Sequence, residues 1–230
     1  MILLLSLTVL PAFLLGGYIY VVDKKDKEPP LLLIKLIIGG IGAFFLTLVI
    51  VESLRLINPI FVSTETDFFT LLINNFIRAA FVEEFSKFIF LYAATWKNKN
   101  FNYLFDGIVY ATFISIGFAT VENFLYVYGV EGGFLTALLR GFLAVPGHMF
   151  FGVFSGVYYG LARRNKNKKK KYGHYLLLSF VVPWLVHGIY DLWLTYESRV
   201  IAAVYILFMI SLYFISYRII MNVSKHDKAI

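Results

Sequence analysis

Seven stretches of this 230-residue chain each run for roughly 20 residues or more with few charges, the length a helix needs to cross a hydrocarbon core. They cover residues 2–22, 31–51, 68–95, 104–128, 134–162, 175–196 and 200–222. In lipid every backbone N–H and C=O must find its partner within the protein, so only helices and closed barrels span. These runs do not alternate apolar with polar residues, which excludes a barrel. The expected fold is all-α: a polytopic membrane helix bundle of about seven transmembrane helices. It forms a single membrane-embedded domain over 1–230, with a motif-bearing core at about 68–196. The first 22 residues lack a basic leader and read as a retained span rather than a cleaved signal.

Charge placement sets the orientation. The formal net charge is +7, but the basic residues form short clusters between apolar runs, so the expected neighbour is an anionic bilayer surface and not nucleic acid. Lys24, Lys25 and Lys27, then Lys97 and Lys99, then seven from Arg163 to Lys171, then Arg218, Lys225 and Lys228 fall on one side. Only Arg55 and Arg199 fall on the other. By the positive-inside rule the N-terminus is outside and the C-terminus cytoplasmic. The third span resists this scheme, since it carries Arg78, Glu83, Glu84 and Lys87. At about 2.5–3.5 kcal/mol per central charge, four would cost around 10 kcal/mol. Removing it would place the seven-charge loop outside, so it is expected to span with its charges shielded by neighbouring helices. Cysteine is absent, which leaves no thiol nucleophile, disulfide or cysteine metal site.

Ionisable groups inside a membrane default to function. Glu83 and Glu84 precede Lys87 by four and three residues, which puts the lysine on the helical side of both. The adjacent carboxylates diverge by about 100°, so one can face a reaction while the other is held by Lys87 or another helix. Phe118, Glu122 and Tyr126 form a second stripe. His148 is followed by Gly152, Gly156 and Gly160 at the same spacing, a face that lets a neighbouring helix approach closely. His187 and Asp191 lie one turn apart, so the carboxylate can orient the imidazole, and Pro183 before them loosens the helix. All these groups fall within a layer on the order of 10 Å deep at helical rise, which one shared polar cavity explains. Glu122 and Asp191 lie nearest the outer ends of their spans, so that cavity is expected to open outward. His174 and His226 sit in basic segments and read as surface histidines.

Two histidines with several carboxylates support water activation by a glutamate, helped by a metal or a histidine. There is no obvious intramembrane Ser–His or Ser–Lys arrangement, no paired membrane Asp, and no His-Glu-x-x-His. A zinc site drawing on His148, His187 and a carboxylate such as Glu122 would leave a position for water. A metal-free site would put Glu83 and Glu122 on the water and His187 at the oxyanion. The sequence leaves both open. The same inventory would also serve a proton- or ion-coupled transporter or channel. Against that stands the absence of an inverted repeat.

Four ordered motifs carry a resemblance: Glu83-Glu84-x-x-Lys87, Phe118-x-x-x-Glu122-x-x-x-Tyr126, the single His148, and His187-Gly-x-Tyr-Asp191. With the linking stretch from Phe105 to Ala111, they are similar to those of the PrsW family, a bacterial group related to the CAAX prenyl proteases. Those relatives end the second motif in His where this chain has Glu122. The resemblance implies a multi-pass protease of the bacterial cell membrane, with Glu83, Glu84, Lys87, Glu122, His148, His187 and Asp191 in its catalytic set. Its implied substrate is a single-span membrane protein, an anti-sigma factor, which it cuts first in stress-response signalling.

Overall fold

A computed structural model describes residues 2–57, 67–130, 132–196 and 198–230. Among them there is no β-strand, and the architecture is the expected helix bundle. Helix α1 spans Ile2–Val22 and α2 Pro30–Ile57. The third span starts as α3, Phe68–Ile73, passes through a π-helical stretch at Asn74–Phe81, and continues as α4, Val82–Thr95. Helix α5 covers Leu104–Leu125 and ends in a second π-helical stretch, Tyr126–Val130. Helices α6 (Phe134–Phe142), α7 (Ala144–Asn167), α8 (Gly173–Thr195) and α9 (Arg199–Lys225) complete the chain. Part of the connection between the second and third spans lies outside the described residues.

Six helical segments are long and apolar enough to cross a membrane. The seventh, 68–95, is as long as the others, but its polar residues are turned inward, with Glu84, Ser86 and Lys87 buried. Neighbouring helices shield these charges. Helix α5 is the hub, buried over most of its length. Helices α1, α2 and α9 expose Phe13, Leu14, Ile38, Val49, Leu207 and Ile210 on their outer faces, as a lipid-facing surface requires.

The small-residue stripe of α7 packs on α5 at the closest approach in that pair. A Cβ on Gly156 would lie 2.5 Å from the Gly107 carbonyl oxygen. Gly117 of α5 meets the Ile37 backbone of α2 just as closely. Such contacts between backbones replace the hydrophobic drive that lipid does not supply.

The sequence reading differs from the structure in the fifth span, which is two helices rather than one. Pro146 has no N–H for the Phe142 carbonyl four residues earlier, so α6 stops and a new first turn accommodates the ring. The carbonyl released at Phe142 accepts the Tyr213 hydroxyl at 2.7 Å instead. Helix α7 also runs to Asn167, into the expected basic loop, where Arg164 and Lys166 favour its C-terminal dipole. Pro183 does not interrupt α8.

Candidate active site

Glu83, Glu84 and Lys87 lie in the first turns of α4, directly after the π-helical stretch. A π turn shifts the register of everything that follows, and it leaves backbone groups without their usual partners. The Phe76 carbonyl accepts the Trp184 indole N–H at 2.7 Å, which ties this stretch to α8. Asp67 caps α3 by accepting the Phe69 and Thr70 amides at 3.0 and 3.1 Å. Local chemistry therefore fixes both the start and the register of the span that bears the glutamate pair.

The two glutamates occupy different surroundings. Glu84 is buried and 2.8 Å from the Lys87 ammonium, while its Oε1 is 3.0 Å from His187 Nδ1. Glu83 is 3.4 Å from Lys87 and lines a cavity of about 670 Å³. Lys87 also reaches His148 Nδ1 at 2.9 Å, across two helices. An ammonium can only donate, so Nδ1 accepts and the proton of a neutral His148 sits on Nε2. That nitrogen is 2.9 Å from Glu122 Oε2.

Glu122 in turn accepts from Arg140 at 2.7 Å. Arg140 donates through Nε to Asn123 at 3.1 Å and stands 4.0 Å over the Tyr126 ring. Sequence reasoning missed this arginine. It is a charge seven positions inside an apolar run, and that alone was a signal. His187 Nε2 lies 3.3 Å from Asp191 Oδ2 and 3.9 Å from Glu83 Oε2. All seven residues singled out from the sequence thus join, with Arg140, in one network of ion pairs and hydrogen bonds. His174 and His226 lie outside it.

The cavity is lined by Glu83, Glu122, His148, His187 and Asp191. Asn74, Thr136 and Thr195 also line it, each toward the end of its span remote from the basic loops, and no residue of those loops does. The cavity therefore lies toward the face opposite those loops, which puts its mouth on that face.

Two features of the floor bear on a metal. A carboxylate oxygen of Glu83 and one nitrogen each of His148 and His187 lie within 4.8 Å of one another. The carboxylate of this set is Glu83, from the glutamate pair that the sequence offered beside Glu122, and Arg140 and His148 engage Glu122. With Nδ1–H of His187 directed at Glu84, its Nε2 faces two carboxylates, so a proton or a cation must sit among three acceptors. In the network, four carboxylates face Lys87 and Arg140, and Arg78 also lines the cavity. The donor types suit zinc. His148 joins such a set by giving up Glu122 at Nε2 or Lys87 at Nδ1.

Comparison with known proteins agrees with these observations. Residues 28–220 match the family model described as PrsW family intramembrane metalloprotease. The chain is 35% identical over 188 residues to Protease PrsW of Oceanobacillus iheyensis, covering 82% of this chain and 81% of that one. It is 34% identical over 198 residues to Protease PrsW of Bacillus subtilis, covering 85% and 84%. To the Clostridioides difficile protein of the same name it is 29% identical over 230 residues, covering 99% and 94%. No solved structure matches. A bundle of apolar helices around a buried carboxylate–histidine cavity, matched over most of its length by a family model, leads to one conclusion: the chain belongs to the PrsW family of intramembrane proteases, as a multi-pass peptidase of the bacterial membrane.

Proposed function

We propose that this peptidase makes the first cut in a single-span membrane protein, an anti-sigma factor, within the part of that substrate emerging on the outer face. The observation that carries the side of the cut is the cavity mouth, which lies opposite the basic loops. With the basic loops cytoplasmic, the N-terminus and the mouth are external. A peptide bond must leave helical geometry before attack, and this is easier where a substrate emerges from lipid than at mid-membrane. The substrate's identity as an anti-sigma factor rests on the family resemblance.

In the proposed mechanism Glu83, at the cavity floor, takes a proton from water as its oxygen bonds to the peptide carbonyl carbon. His187, held by Glu84 at Nδ1, presents Nε2 to the carbonyl oxygen as negative charge develops there. Glu83 then returns the proton to the departing amine as the C–N bond breaks. Lys87 holds Glu84 and limits how far Glu83 moves. Glu83, His148 and His187 are the residues that would hold a divalent metal, which when bound supplies a polarising Lewis acid and a more acidic water. Glu83 is central on either course.

The test is cleavage of a single-span reporter by the purified protein in proteoliposomes, with the fragments sized by mass spectrometry. The expected cut lies in the segment or outermost turn on the cavity-mouth side. Fragments cut on the basic-loop side of the reporter's span would contradict the reading.

A further inference from the structure

At the opposite end of the bundle from the cavity, the basic-loop face buries a second group of acids that the proposed mechanism does not use. Asp23 ends the first span, Glu28 precedes the second, Asp106 lies in the first turn of α5, and Asp227 follows α9. Asp23, Glu28 and Asp106 are 2%, 3% and 0% exposed. One oxygen of Glu28 accepts the Tyr110 hydroxyl at 2.7 Å, and one oxygen of Asp106 accepts the Asn102 and Tyr103 amides at 2.9 and 2.7 Å. Asp227 accepts the Phe105 amide at 3.1 Å.

Asp23 Oδ2, Glu28 Oε2, Asp106 Oδ1 and Asn102 Oδ1 are all buried with no hydrogen-bond partner. The Asp23, Glu28 and Asp106 carboxylates lie close enough to repel one another. Among the described residues no Lys or Arg nitrogen is within 4.0 Å of them. Lys27 donates to the Tyr20 carbonyl, lies 4.3 Å over the Tyr20 ring, and acts on Asp23 only through longer-range attraction. Lys25 acts on Asp227 only through longer-range attraction. Asp26, the remaining acid here, adds negative charge while accepting the Asn102 amide group at 2.8 Å. Buried, unpaired carboxylates are among the costliest arrangements a protein can hold.

We infer that Asp23, Glu28, Asp106 and the Asn102 carboxamide oxygen hold a hydrated divalent cation of the magnesium class at the basic-loop face. All the orphaned atoms are oxygens, which suits a hard cation. Their carboxylates do not converge within 4.8 Å as a set, unlike Glu83, His148 and His187, so direct chelation of a bare ion is disfavoured. An ion that keeps part of its water shell fits that spacing, and magnesium dehydrates reluctantly. Bound there, it ties the α1–α2 connection to the start of α5, beside the point where Ile230 bonds the Asn102 carbonyl at 2.8 Å.

The thermal midpoint of the full-length protein in nanodiscs, stripped of divalent ions at pH 7.5, tests the inference when magnesium chloride is added. The expected result is a rise of several degrees that saturates in the millimolar range, and its absence in Glu28→Gln with Asp106→Asn. That double variant should also match or exceed the magnesium-free wild type. Since it keeps the whole cavity floor, its behaviour reports on this face alone. No magnesium dependence in the wild type, or the same dependence in the double variant, would overturn the site. The chain has no cysteine, so a nitroxide on Lys228→Cys gives a second reading if the double variant does not fold. Manganese added over the range that saturates the thermal shift should broaden that label's spectrum, and an unaffected spectrum would overturn the site equally.

Discussion

Glu84 Oε1 stands 3.0 Å from His187 Nδ1 and 2.8 Å from the Lys87 ammonium, so one buried carboxylate joins the imidazole of α8 to the cation of its own helix. This separates the adjacent glutamates. In the proposed mechanism Glu84 is a positioning residue for the ring, whereas Glu83 faces the cavity. Replacing Glu84 by Gln removes the charge and keeps the shape. Reporter cleavage should fall by about 10–100-fold, the usual cost of losing a group that orients a functional histidine. The loss should appear in kcat with KM little changed, and a KM effect alone would point elsewhere.

Lys87 is the shared cation of Glu83 and Glu84 and contacts His148. Lys87→Met should destabilise the protein by about 3–5 kcal/mol, because it leaves paired buried carboxylates without their counter-charge. Combining Lys87→Met with Glu84→Gln should recover part of that loss. Equilibrium unfolding in mixed micelles measures both.

Arg140 anchors Glu122 and Asn123 beneath Tyr126. Arg140→Leu should lower cleavage by at least about 10-fold and unfolding free energy by about 2–5 kcal/mol. Arg140→Lys should rescue stability better than activity. A lysine restores the charge but cannot reach both acceptors with one planar fork.

Gly156 packs against the backbone of α5. Gly156→Leu should cost more than about 3 kcal/mol, since the added atoms meet a carbonyl and not the yielding tip of a side chain. Gly173, with nothing within 4 Å of its Cβ position, is the control: Gly173→Ala should leave unfolding unchanged to about 0.5 kcal/mol.

The residue types of the site and their helical faces were readable from spacing alone. Glu83, Glu84 and Lys87 sit three and four apart, and His187 and Asp191 four apart, so their contacts within a helix follow from α geometry. The glycine stripe on α7 likewise announced a close neighbour, and the structure supplies α5. Contacts between helices were not readable. Lys87 and His148 are 61 positions apart, and their meeting depends on how two spans are rotated. That rotation is set partly by the π-helical stretch at Asn74–Phe81, which inserts extra chain without a composition signature. The acids at the basic-loop face were hidden for a similar reason. Asp23, Glu28 and Asp106 each look like ordinary loop or capping residues until the fold buries them together.

In the proposed mechanism Glu83 activates the water that cuts the peptide bond, with or without a metal beside it. The rate of reporter cleavage in proteoliposomes by Glu83→Gln, against the wild type at equal folded protein, tests it most directly. Metal content by elemental analysis should be read on the same samples. The expected result is a loss of about a thousandfold or more with normal membrane accumulation. Near-wild-type turnover by the Gln variant would contradict it.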